Sequence, residues 1–91
     1  REYGLIIHSE VSIGYDIPWR KVNELLIDAA LNTPGVVDDP RPFVLETSLS
    51  DWYPVYQVNA YIKEADKMPQ IYSNLHQNIQ DKFNEAGIEI M

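Results

Sequence analysis

Apolar residues recur along this chain with two different periods, and the switches between them mark out six elements. From Leu5 to Ile13 the period is two. Ile7, Ser9, Val11 and Ile13 fall on one face and Ile6, His8, Glu10 and Ser12 on the other, as in a half-buried strand. From Pro18 to Leu31 the period is helical, with Val22, Leu25, Leu26, Ala29 and Ala30 in one stripe and Arg20, Lys21, Asn23, Glu24 and Asp28 on the wet side. Asp16 stands where an N-cap carboxylate would accept from first-turn amides, and Pro18 suits a first turn because its missing N–H costs nothing there. Asn32-Thr33-Pro34-Gly35 ends the helix. After a connector over 36–42, Phe43 to Leu49 reads as a second strand with Phe43, Leu45, Thr47 and Leu49 sharing a face. A turn at 50–54 leads to a third strand, Val55 to Ile62, with Tyr56, Val58, Ala60 and Ile62 on one side. Two strands joined by so short a turn make an antiparallel hairpin. A charged linker over 63–68 precedes a second helix beginning at Pro69, whose Ile71, Leu75, Ile79 and Phe83 repeat every four residues. Gly87 is placed for a left-handed cap, and Ile88 to Met91 reads as the start of a last strand.

The order strand, helix, strand, strand, helix, strand is the split βαβ pattern. The expected fold class is α+β: a ferredoxin-like βαββαβ sandwich with two helices on one face of an antiparallel sheet. The 91 residues allow one domain, and a chain this short buries only about 60–65% of its unfolded surface. The apolar share, 45%, is that of a globular protein. Both ends read as internal: Arg1-Glu2-Tyr3-Gly4 runs straight into an apolar segment, and Ile88-Glu89-Ile90-Met91 breaks off in a strand. A strand edge left open invites association, so an excised domain of a larger protein is expected. The chain holds no cysteine, which excludes disulfides and thiolate metal sites. No apolar run approaches the roughly 20 residues of a membrane span. Net charge is −7, with the acids scattered; such a surface repels phosphate backbones and anionic lipid, so no nucleic-acid partner is expected.

Candidate chemistry is sparse. His8 and His76 lack the close spacing of a metal pair, and a structural role is expected for each. Serines 9, 12, 48, 50 and 73 lack a nucleophile-elbow setting or a local base. Gly14 lacks the further glycines and the lysine of a phosphate loop, and a carboxylate at Asp16 would occupy the place an anion needs. Asp38-Asp39 lacks the ligand spacing of a calcium loop. The reading is therefore no enzyme, no catalytic residue, no cofactor and no metal. Tyr3, Trp19, Trp52 and Tyr53 are the informative aromatics. A turn at Trp52-Tyr53-Pro54 leaves them open to solvent, as in an interface, unless Trp52 folds back onto the core.

Three stretches carry a family resemblance. Val11-Ser12-Ile13-Gly14-Tyr15-Asp16-Ile17-Pro18-Trp19 resembles the segment that enters the C-terminal α/β region of small-conductance mechanosensitive channels. Thr33-Pro34-Gly35-Val36 with Asp39-Pro40 and Pro42-Phe43-Val44 is similar to that family's helix exit and next strand, and residues 78–90 to its last helix and strand. The resemblance implies a parent channel in the bacterial inner membrane, relieving osmotic pressure by ion transport. It implies a homo-oligomeric ring, a heptamer, in which copies of this domain wall a cytoplasmic vestibule and filter what reaches the pore. Residues 1–14 would be the tail of the channel's middle β-domain leading into the first strand, and residues 15–91 the C-terminal cytoplasmic α/β domain. The membrane would be reached only through helices that precede Arg1. A ferredoxin-like module that binds a small ligand and regulates an attached enzyme is the alternative, since fold alone does not fix function.

Overall fold

The computed structural model describes residues 5–91. Tyr3 and the rest of the opening tetrapeptide lie outside the described residues. The elements are β1 (Leu5–Ser12), α1 (Trp19–Leu31), β2 (Phe43–Leu49), β3 (Pro54–Ile62) and α2 (Met68–Glu85), with one 3-10 turn at Ala65–Lys67 inside the expected charged linker. Both helices bury the stripes their spacing implies: Val22, Leu25, Leu26, Ala29 and Ala30 from α1, and Ile71, Leu75, Ile79 and Phe83 from α2. Each large aliphatic side chain so buried contributes about 1.5–3 kcal/mol before the entropy of ordering is subtracted.

The strands form an antiparallel sheet in the order β1-β3-β2. Ile7 lies opposite Ala60 and Ser9 opposite Val58, so the expected inward face of β1 meets Tyr56, Val58, Ala60 and Ile62 of β3 beneath the helices. The hairpin between β2 and β3 is the one its short turn implies. Thr33 ties the two helices together. Its Oγ1 donates to Ala29 O at 2.8 Å and accepts from Asn78 Nδ2 at 3.0 Å, so this 2%-exposed hydroxyl is satisfied on both sides.

Three expectations are corrected. First, Asp16 does not cap α1. The N-cap is Pro18, whose carbonyl accepts from Lys21 and Val22, and no side chain bonds the first turn. Asp16 instead turns back over Gly14, where an added Cβ would meet its Oδ1 at 2.7 Å. The Gly14–Ile17 turn, closed by Ile17 N–H donating to Gly14 O, carries the carboxylate away from the helix.

Second, Phe43, Leu45, Thr47 and Leu49 do not share a face. The register shifts between Glu46 and Ser48, and the extra residue of that bulge reverses the alternation. Val44, opposite Val58, is the residue of β2 that packs on the core, whereas Phe43 and Leu45 lie opposite Asn59 and Gln57 on the open side.

Third, the fourth strand of the ferredoxin-like order is not formed among the described residues. Ile88 to Met91 makes a single antiparallel bridge, Ile13 to Ile90, supported by Met91 N–H donating to Ser12 O at 2.8 Å. The observed order is β-α-β-β-α, with that bridge beside β1. The turn before it is as expected. Gly87 has φ +72°, Gly87 N–H donates to Asn84 O and Ile88 N–H to Phe83 O, the paired bonds of a Schellman cap.

Candidate contact surface

The loop entering α1 and the β2–β3 hairpin come together at one end of the molecule. Two bonds hold them there: Tyr15 Oη donates to Ser50 O at 2.6 Å, and Ile13 N–H to Pro54 O at 3.3 Å. Ser50 shapes the hairpin turn, with its hydroxyl donating to Tyr53 O and accepting from Tyr53 N–H. Trp52 is 78% exposed and Leu49 72%, so Trp52 does not fold back onto the core. Tyr15, bonded to this hairpin, is about half exposed. Trp19, at the start of α1, is also about half exposed, and the Arg20 guanidinium lies 4.3 Å over its ring, a cation–π contact. Tyr56 lies beneath this end, 2% exposed. Burial, then the Glu46 carboxylate and Tyr15, raise its pKa above the ordinary tyrosine value.

The open face of the sheet is a second apolar surface. Ile6, Phe43 and Leu45 are between about a third and a half exposed there, around a buried Asn59 whose Nδ2 donates to Gln57 O.

The polar candidates are scattered, with one exception. His8 is exposed, and its backbone N–H donates to Tyr72 Oη at 3.2 Å. His76 Nε2 lies 3.0 Å from Ser9 Oγ, a pair brought together across 67 residues of chain. Sequence spacing missed it; the signal was that Ser9 interrupts the inward face of β1 and His76 flanks the Leu75–Ile79 stripe. Tyr72 and His76 sit side by side on α2, so both of these bonds clasp the free edge of β1 to that helix. The shallow groove there is lined by Ser9, Val11, His76, Ile79 and Ile90. Among the described residues, no three His, Asp or Glu side chains converge as metal ligands would. Ser73 accepts from Gln77 on its own helix, and Asp38 and Asp39 sit exposed in a turn.

This arrangement defines a small α+β domain whose most prominent surface feature is apolar and aromatic. Residues 7–90 match the family described as mechanosensitive ion channel MscS, C-terminal, and the chain belongs to that family. The comparison with curated proteins finds no match. The family is one of ion channels. Among the described residues, no helix is long and apolar enough to cross a membrane.

Proposed function

We propose that this chain is the vestibule domain of a mechanosensitive channel, contributing to assembly of the ring and to filtering of ions. The observation that carries this reading is the family match, which runs from within β1 to the Ile90 bridge and so takes in both helices, β2, β3 and most of β1. Residues 1–14 would lead out of the channel's preceding β-domain, and β1 would carry that connection into the sheet of residues 15–91. The parent protein would sit in the bacterial inner membrane with this domain on the cytoplasmic side, relieving osmotic pressure when it opens. Partners would be copies of the same subunit in a closed ring of seven.

The filtering role follows from charge. Each copy brings a net −7, and exposed carboxylates such as Asp81, Glu85 and Glu89 cluster around the end of α2. Acids repeated around a ring raise the local cation concentration within about 8 Å of the wall at physiological salt. Reversal potentials of the intact channel test this. Asp81→Asn, Glu85→Gln and Glu89→Gln together should lower the cation-to-anion permeability ratio, and more so in dilute salt. An unchanged ratio at low ionic strength would remove the filtering role. Survival of osmotic downshock by cells whose channel lacks residues 7–90, at the level of cells with the whole channel, would remove the assembly role.

A further inference from the structure

We propose that Ser9 is a nucleophilic serine, activated by His76, that takes a short acyl group from an uncharged activated ester. This role is separate from the channel reading and does not depend on it. Four features meet in the groove between α2 and the free edge of β1.

The first is the pair itself. His76 Nε2 lies 3.0 Å from Ser9 Oγ, within the reach a general base needs to take the hydroxyl proton. Ser9 has no base near it in sequence; the fold supplies one across 67 residues. The Tyr72 ring stands 5.9 Å from the imidazole, one turn back on α2, and limits how far it can swing from Ser9. The second is a backbone donor. Along β1 the main chain turns alternately toward β3 and toward the free edge. Ile13 N–H donates to Pro54 O across the sheet, whereas His8 N–H and Ser12 O find their partners, Tyr72 Oη and Met91 N–H, on the open side. Glu10 lies between these two and directs its N–H the same way. Its place opposite Gln57 is a non-hydrogen-bonded one, so no ladder bond takes that N–H among the described residues. The amide directly after a nucleophile is the donor that hydrolases set against a developing oxyanion.

The third feature is a seat for the acyl chain. Val11, Ile79 and Ile90 wall the groove beside the pair. Its volume, about 340 Å³, is at the small end for a ligand site, which suits a short acyl group. The fourth is charge. Glu10 lines the groove, no lysine or arginine does so among the described residues, and the chain carries −7. An anionic acyl donor is repelled there; an uncharged ester is not.

The step balances without any further reactant. Ser9 Oγ attacks the ester carbonyl carbon while its proton passes to His76 Nε2. The carbonyl oxygen takes up the negative charge and meets the Glu10 N–H. The bond from carbon to the leaving oxygen then breaks, and His76 returns the proton to that oxygen. The products are acyl-Ser9 and a free alcohol. Among the described residues no carboxylate bonds the His76 ring, the partner that orients the base in a full triad. The expected reaction is therefore one slow acylation and not rapid turnover.

The test incubates the whole 91-residue chain with p-nitrophenyl butyrate and locates the butyryl group over time by peptide-mapping mass spectrometry. Ser73 is the internal control: it lies exposed on α2 and bonds the Gln77 amide instead of a base. Ser9 should be acylated at least about 100-fold faster than Ser73, the range a positioned general base contributes. His76→Gln should bring Ser9 down to the rate of Ser73, and Ser9→Ala should leave the labelling of Ser73 unchanged. Both serines are read in one molecule, and thermal midpoints of the variants are recorded alongside, so loss of fold is not mistaken for loss of reactivity. Ser9 labelled no faster than Ser73 overturns the proposal. So does Ser9 labelling that persists at full rate in His76→Gln, or a butyryl group found on His76 in place of Ser9. Each of these results would leave the hydrogen bond as a tie between α2 and β1 and nothing more.

Discussion

β3 is buried at both ends, but what lies next to each end differs. Toward Ala60 and Ile62 the strand lies under α1 and α2, and Ile7, Leu26, Leu75 and Phe83 close over it with almost no exposure. At its other end Pro54 opens the strand from a hairpin whose Leu49 and Trp52 stand in solvent. Both regions are apolar, so hydrophobicity alone does not distinguish them. What differs is whether the chain supplies its own cover. Two amphipathic helices were available for one face of the sheet, and none for the hairpin tip. The first region makes the domain fold; the second adds nothing to the core and stays open to solvent.

Mutation should separate these roles, beginning with the covered region. Phe83→Ala leaves a cavity between α2 and the sheet and should lower unfolding free energy by about 3–5 kcal/mol, read from urea denaturation. Gly35→Ala comes next. At φ +98°, an added Cβ would meet Ile71 Cδ1 at 2.6 Å, so strain and overpacking should together cost about 1–3 kcal/mol. A smaller effect is confined to alkaline solution. Tyr56 keeps its proton in the folded state beyond the pH at which the unfolded chain releases it, so the native state binds more protons in that window. Its contribution is complete below the ordinary tyrosine pKa of about 10 and is lost as pH rises through the raised folded value. Tyr56→Phe should flatten that part of the stability profile. The smallest effect belongs to the uncovered region. Leu49→Ser should change monomer stability by less than about 0.5 kcal/mol, because the side chain is 72% exposed and makes no core contact.

Helical spacing disclosed all nine buried helix positions of α1 and α2, because a helix stripe depends on local periodicity and little else. Strand faces were less legible. β1 and β3 alternated as expected, but the bulge in β2 depends on how Glu46 and Ser48 register against Tyr56 and Val55, which no alternation pattern carries. Asp16 was misread for a similar reason. Its residue type suits a cap, yet the turn closed by Gly14 and Ile17 aims it elsewhere. The last strand failed because pairing needs a partner edge in register, and Ile88 to Met91 meets β1 at only one bridge. Of the contact surface, Trp52 and Tyr53 were visible as turn aromatics. That Tyr15 joins them is set by its bond to Ser50, 35 residues away.

The most direct test follows Trp52 itself. In a Trp19→Phe background Trp52 is the chain's remaining tryptophan, and its quenching by acrylamide reports solvent access. Because that ring stands 78% exposed, quenching should approach that of free tryptophan and emission should lie toward the red. Quenching as weak as that of a core residue, with blue-shifted emission, would contradict the account's contrast between the covered sheet face and the open hairpin tip.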